Sequence, residues 1–276
     1  MSRMNEYVNK ERGMMFIPFI TTGDPNAEAT VDLASVLQDF GASALELGIP
    51  YSDPLADGPV IQRASRRALE NHMTLLKALR LVKRMRESGV KIPVIIFTYV
   101  NPLLQLGIET FFHEAKENGV DGLLVPDLPF EESHELSEQC RVHQISLISL
   151  VAPTTSDQRL TAICQAAQGF IYCVSSLGVT GVRSHFHPDI FPFLKRVRAA
   201  SSLPIAVGFG ISSRAQVDEL RNYADGFIVG SAIVSQIEKR ADGLRSENRQ
   251  AALDEIKHYL QDTLPAAEQV AGRRTV

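Results

Sequence analysis

Short runs of β-branched and aromatic residues recur along this chain, each followed by a stretch whose apolar positions have helical spacing. The runs begin near Phe16, Ala44, Val94, Gly122, Ser146, Phe170, Ile205 and Gly226. Most gaps between them fit one strand, one helix and two loops. Units of that kind in series predict a parallel sheet closed into a barrel, with an outer ring of helices. The expected fold class is therefore α/β, a (β/α)8 TIM barrel forming a single domain over residues 1–276, with extended loops after the second and sixth strands. A doubly wound open sheet is the competing architecture, but no G-x-G-x-x-G opens the first unit. The early apolar run Met14–Ile20 is interrupted by Pro18 and is followed by no small-residue cleavage site. It reads as a buried strand rather than a signal peptide.

The helices carry their own punctuation. Asp24-Pro25-Asn26 begins the first, with Val31, Leu33, Val36 and Leu37 on one stripe. Thr74 precedes Leu75, Leu76, Leu79 and Val82. Lys83, Arg84 and Arg86 in the last turn of that helix read as a solvated face suited to the helix dipole, and Gly89 stops it. Asp157 is placed to cap the helix through Leu160 and Ile163. A final helix is expected over Asn248–Leu264, followed by a flexible tail at 265–276. The segment before Phe16 is short, which leaves little room for a long helix under the barrel.

Alternation in the second strand separates Leu45, Leu47 and Ile49, facing the helices, from Ala44, Glu46 and Gly48, facing the interior. A lone interior carboxylate is costly unless it is paired or used. Burial raises its pKa, which suits a group that gives and takes a proton near neutral pH. The plainer alternative is a structural carboxylate paired with a Lys or Tyr. The next segment, Pro50–Pro59, is stiffened by Pro50, Pro54, Gly58 and Pro59, and carries Asp53 and Asp57. Asp57-Gly58-Pro59 could simply cap the helix starting near Val60.

A different chemistry is suggested by the glycines of Val207–Ile211 and Ile228–Ala232, after the seventh and eighth strands. They let backbone approach an anion, and a helix starting at Ser231 would add free N–H groups; loops at these two positions recurrently bind phosphate in such barrels. Turn chemistry alone is the alternative. Ser176–Gly181, after the sixth strand, could close over the same phosphate.

Composition narrows the classes. The 276 residues are 45% apolar and 22% charged, which excludes disordered, collagenous and coiled-coil chains. With 28 Lys and Arg against 32 Asp and Glu, the net charge of −4 does not point to nucleic acid or an anionic membrane. No apolar run approaches the roughly 18 residues of a membrane span. Cys140, Cys164 and Cys173 are far apart and never in C-x-x-C spacing, so buried inert thiols in a reducing cytoplasm are expected. His185 and His187 have H-x-H spacing but no further ligand beside them, and His113, His134 and His143 read as surface residues. No metal site is expected. The hydrolase, zinc-protease and NTPase markers G-x-S-x-G, H-E-x-x-H and Walker A are missing.

Pro18–Pro25, Leu45–Pro59, Gly178–Gly181, Gly208–Ser212 and Gly230–Val234 occur in that order across about residues 16–260. Together they resemble the tryptophan synthase alpha chain family. The Leu45–Pro59 motif is specific; the glycine motifs are shared with other phosphate-binding barrels. The resemblance implies a lyase that cleaves indole-3-glycerol phosphate by a retro-aldol step to indole and glyceraldehyde 3-phosphate, with no cofactor in this chain. Glu46 matches the acid-base residue and Asp57 the carboxylate that accepts the indole N–H. Phe19, Phe97, Tyr99, Leu124, Leu150 and Tyr172 match positions lining the ring pocket, with Tyr172 in reach of a hydrogen bond to Glu46. Thr180, Gly181, Phe209, Gly210, Gly230 and Ser231 match positions around the phosphate or the closing loop, and Thr180 would help orient Asp57. The implied partner is a beta chain holding pyridoxal phosphate, in an alpha2-beta2 heterotetramer that channels indole, with Pro50 and Asp53 in the contact region. Pro126 stands where the family often has a small residue, and the tail matches no family motif. Two other roles remain open: a free-standing lyase, and a silent activator that would need the interface but not the carboxylates. A related phosphosugar barrel would call for a Lys or Cys at a strand end, and no Lys is evident there.

Overall fold

The computed structural model describes residues 3–8, 13–175, 186–187 and 189–265. Its strands are β1 (Met15–Thr21), β2 (Leu45–Gly48), β3 (Val94–Phe97), β4 (Gly122–Leu124), β5 (Ser146–Leu147), β6 (Ser149–Val151), β7 (Ile171–Val174), β8 (Ile205–Gly208) and β9 (Gly226–Val229). They hydrogen-bond in the order β5-β4-β3-β2-β1-β9-β8-β7-β6, and every pairing is parallel. β5 and β6 are halves of the fifth expected strand, separated by Ile148; one half bonds β4 and the other bonds β7. The ends of the sheet are thus one stretch of chain, and the sheet curls into a nearly closed barrel. Ile148 keeps the ladder going by donating its N–H to the Leu123 carbonyl at 2.8 Å. That closure rules out the open-sheet alternative.

Both faces of the sheet are covered, which is why the strands read as near-continuous apolar runs. Alternation sends Met15, Ile17, Phe19, Ile95, Phe97, Phe170, Tyr172 and Ile228 into the barrel. Their neighbours Phe16, Ile20, Leu45, Leu47, Val94, Ile96, Ile171 and Phe227 pack under the helices. The interior has room for its large rings only because two inward positions lack side chains. A Cβ at Gly48 would strike the Phe19 ring, and one at Gly208 would strike the Tyr172 hydroxyl.

The short N-terminal helix, Arg3–Val8, still closes the barrel floor, because it inserts Met4, which is fully buried in the inner core. Arg3 ties it down through Asp121 at 2.5 Å. Asp121 also accepts from Arg86 at 2.6 Å and from the Val94 N–H at 2.8 Å. The expectation of a solvated face therefore fails for Arg86, whose guanidinium donates to the Val90, Ile92 and Gly119 carbonyls. A buried carboxylate and a set of inward carbonyls need donors, and Arg86 supplies several at once. Lys83 and Arg84 are exposed as expected.

Helix starts follow side-chain chemistry. Asn26 accepts from the Ala29 N–H at 2.8 Å, opening the helix Ala27–Asp39, and Thr74 accepts from the Lys77 N–H at 3.3 Å, opening Leu75–Glu87. Asp157 does not cap its helix. Ser156 holds the extended backbone of the cap and accepts from the Arg159 N–H at 3.4 Å, while Asp157 pairs with Arg196 at 2.7 Å. The final helix spans Gln250–Thr263. The added length after β2 holds a loop and two helices, Pro59–Glu70 and Leu75–Glu87. Most of the loop expected to close after β7, with Thr180, Gly181 and His185, lies outside the described residues, as does nearly all of the expected tail. Among the described residues no helix is long and apolar enough to cross a membrane.

Met4→Ala should lower global stability by about 2–4 kcal/mol, the usual cost of truncating a buried methionine. Urea denaturation monitored by circular dichroism measures it, and an unchanged midpoint would show that the floor plug lies outside the cooperative core.

Candidate active site

The strand register fixes the first functional side chain. Glu46 pairs across to Phe19 of β1 and Ile95 of β3, so it points inward among apolar neighbours. It is fully buried, and neither carboxylate oxygen has a hydrogen-bond partner among the described residues. Burial alone pushes its pKa up to about 8. The structural alternative of a carboxylate paired with Lys or Tyr is thereby removed. Tyr172 stands close enough to feel the charge of Glu46, and its own pKa is raised well above the usual phenol value by burial and by that charge. It does not, however, make the hydrogen bond expected of it.

Asp57 ends the loop that leaves β2. The helix Pro59–Glu70 begins just after it, with Gly58 at the cap and no side-chain cap bond. The Asp57 carboxylate is therefore not spent on capping. Its backbone carbonyl accepts from Gln62 at 2.8 Å. Tyr99 bonds the carboxylate through its hydroxyl and accepts the Ala56 N–H at 3.0 Å. Burial raises Asp57 to about 6, and the Tyr99 hydrogen bond limits the rise. Near neutral pH Glu46 keeps its proton and Asp57 has mostly lost its own, so one site holds an acid and an anion.

The helix that follows Asp57 is clamped from its far side. Arg67 makes a two-pronged bond to buried Asp24, at 2.8 and 2.9 Å, and reaches Glu238 at 2.6 Å. Arg63 makes a second fork to Glu238, at 2.8 Å on both prongs. Two cationic forks hold the Glu238 pKa down to about 2. Asn71 adds bonds to the Gly23 and Pro25 carbonyls at 3.1 and 2.6 Å. Glu238 lies on the helix Ser231–Lys239, so the network joins the helix after Asp57 both to the loop after β1 and to the helix after β9.

These elements line a cleft with about 500 Å3 of empty space, part of it open to solvent, whose wall includes Glu46 and Asp57. Of the residues expected at the site, Phe19, Phe97, Tyr172, Phe209, Gly210, Gly230 and Ser231 also line it. Leu124 and Leu150 instead take part in the inner packing, and Tyr99 acts on Asp57 rather than on the wall. Thr180 and Gly181 lie outside the described residues. Pro50 is buried within the chain, while Asp53 is exposed. Ile211, Ile228 and Ala232, which fall within the two glycine-bearing segments after the seventh and eighth expected strands, line the cleft as well, and so does Ile61, which no sequence signal marks. Inward alternation along β9 could have found Ile228, and Ile61 lies one helical turn beyond Asp57.

The polar end of the cleft combines Gly210, Gly230 and Ser231 with the start of a helix that has no side-chain cap bond. That end suits an anion. The aromatic lining of the same cleft suits a flat apolar group held between a proton donor and a carboxylate.

A family model for the tryptophan synthase alpha chain matches residues 5–263. The tryptophan synthase alpha chain of Shouchella clausii is 58% identical over 266 residues, covering 96% of this chain and 98% of its own length. That of Bacillus subtilis is 56% identical over 246 residues, covering 89% and 92%. Among solved structures, a chain from work on mutual activation of the tryptophan synthase a2b2 complex of the hyperthermophile Pyrococcus furiosus superposes with a TM-score of 0.82. It is 37% identical, and the match covers 91% of this chain and 98% of that one.

The unpartnered carboxyl gives a stability prediction whose sign is set by its raised pKa. From pH 4.5 to about 8 the folded state holds a proton that the unfolded state has released. Stability contributed by the neutral form is therefore complete at acid pH and is lost as pH rises towards 8. Glu46→Gln removes this loss, so it should stabilise the fold by about 3 kcal/mol at pH 7 and by little at pH 4. Thermal melts at both pH values check this. An equal effect at both would show that Glu46 ionises as easily folded as unfolded.

Proposed function

The chain belongs to the tryptophan synthase alpha chain family, and from that premise we propose that it cleaves indole-3-glycerol phosphate to indole and glyceraldehyde 3-phosphate, a carbon–carbon lyase step in L-tryptophan biosynthesis. The observation that carries this reading is the pair of buried carboxyls, one neutral and one ionised near neutral pH, in a single cleft with an anion-binding end. The phosphate sits at Gly210, Gly230 and Ser231, and the indole ring lies among Phe19, Phe97 and Tyr172.

The reaction then follows from the two charge states. Neutral Glu46 gives its proton to C3 of the indole, which turns the ring into a cationic indolenine. Asp57, ionised, accepts the indole N–H and stabilises the developing positive charge. Glu46, now a carboxylate, takes the proton of the hydroxyl on the adjacent glycerol carbon. The carbon–carbon bond breaks, its electrons return to the ring as indole, and the hydroxyl-bearing carbon becomes the aldehyde. Glu46 finishes protonated, as it began. Tyr99 keeps Asp57 ionised and oriented.

No step of this scheme draws on a cofactor held by this chain; pyridoxal phosphate belongs to a beta chain. We assign such a chain as partner in an alpha2-beta2 heterotetramer to which indole is passed. The exposed Asp53 and Leu55, on the loop leading to Asp57, form part of the contact region, and buried Pro50 shapes that loop. A cytoplasmic location suits the buried free thiols of Cys140, Cys164 and Cys173.

Indole release from indole-3-glycerol phosphate, with and without a beta chain, tests the reading. Slow release that rises strongly with the beta chain is expected. Fast release alone would identify a free-standing lyase, and no release in either case would overturn the assignment. Glu46→Gln and Asp57→Asn should each lower kcat by about 100-fold or more, the scale of a lost general acid or charge stabiliser, with substrate binding largely retained. Activity should fall below about pH 6, where Asp57 gains a proton, and above about pH 8, where Glu46 loses one. Tyr99→Phe removes the bond that lowers the Asp57 pKa, so it should move the acid limb of the kcat profile to higher pH; an unmoved limb would separate Tyr99 from Asp57.

A further inference from the structure

The turn after β8 holds two successive residues in the left-handed region, Phe209 at φ 72° and Gly210 at φ 83°. That conformation is uncommon for a phenylalanine and persists only where its surroundings hold it. Two side chains grip this turn from outside the cleft. The Ser175 hydroxyl, at the end of β7, donates to the Phe209 carbonyl. Gln216, 1% exposed on the short helix Arg214–Leu220, donates through Nε2 to the Gly210 carbonyl at 3.2 Å. The Gln216 Oε1 accepts from the Ser212 N–H at 2.8 Å and from the Ser212 and Ser213 hydroxyls at 3.3 and 3.2 Å. Because Oε1 must face an N–H, the amide cannot flip, and Nε2 faces the Gly210 carbonyl.

In a planar trans peptide, a carbonyl and the next N–H point in opposite directions. Pinning the Phe209 carbonyl to Ser175 therefore turns the Gly210 N–H the other way. Pinning the Gly210 carbonyl to Gln216 does the same for the Ile211 N–H. Gly210 and Ile211 both line the cleft. We propose that Ser175 and Gln216 are positioning residues for phosphate recognition, holding two adjacent carbonyls back so that the two following amides present to the phosphate. This rests on the phosphate-binding reading above. The recognition set extends to a hydroxyl and an amide that touch no substrate, and Ser175 connects the phosphate turn to the segment that follows β7.

The reverse condensation of indole with glyceraldehyde 3-phosphate separates the alternatives, because only one substrate carries phosphate. Ser175→Ala, which removes a single oxygen, and the near-isosteric Gln216→Met should each raise KM for glyceraldehyde 3-phosphate about tenfold, the scale of one hydrogen bond to a charged group. Inhibition by glycerol 3-phosphate should weaken by the same factor. KM for indole and kcat should stay within about twofold, and Ser175→Thr, which restores a hydroxyl, should recover the phosphate terms. A rise in both KM values together, or in neither, would overturn the proposal and leave the two residues as ordinary turn supports. Failure of glycerol 3-phosphate to inhibit the unsubstituted chain would instead overturn the phosphate reading, and the proposal with it.

Discussion

A carboxyl group with no hydrogen-bond partner among the described residues, enclosed in the wall of a parallel barrel, sets the terms for the rest of this molecule. Glu46 cannot ionise cheaply where it stands, so it holds a proton that an exposed glutamate would have lost. Its location is a matter of register. β2 pairs with β1 and β3 so that Glu46 lies between Phe19 and Ile95, and a shift of one residue would turn it out under the helices. Closing the sheet through the broken strand β5–β6 removes any free edge along which such a shift could begin. Glycine at positions 48 and 208 then lets aromatic rings fill the space that water would otherwise use to solvate the carboxylate.

Asp57 is treated in the opposite way. It sits at the end of a loop in the wall of the same cleft, and its carboxyl is raised less than that of Glu46. The protein supplies one hydroxyl, from Tyr99, and a rigid mounting. The mounting is ionic. Arg67 and Arg63 bind Asp24 and Glu238 through forked contacts that tolerate little change of angle. Because Asp24 follows β1 and Glu238 lies beyond β9, the helix after Asp57 is braced on the barrel and on the helix Ser231–Lys239. The network thus fixes Asp57 relative to Ser231, which lines the same cleft.

The strands were legible in the sequence because burial on both faces leaves β-branched runs that few other elements produce. Glu46 was legible for a related reason: a charge at an inward position of such a run breaks the pattern. Other features depend on contacts that no local pattern records. Arg67 lies 43 residues from Asp24 and 171 from Glu238, and nothing near it in the chain distinguishes it from the exposed Arg66. Arg86 ended a helix in a way that suited solvent, yet the inward carbonyls beside it decided otherwise. Tyr99 could be placed near the site by resemblance, but resemblance conveys position without direction, and its hydroxyl turns to Asp57 and Ala56. Asp157 has the residue type of a cap, but backbone geometry gives that role to Ser156.

Met4, buried at the foot of the barrel, makes the barrel a cup rather than a tunnel. A cup has a single rim, so nothing passes through the barrel from end to end. Residence time then belongs to the rim and to whatever rests on it, while the floor contributes only its tightness. A leak at the foot would admit water to the carboxyl that the whole barrel keeps dry.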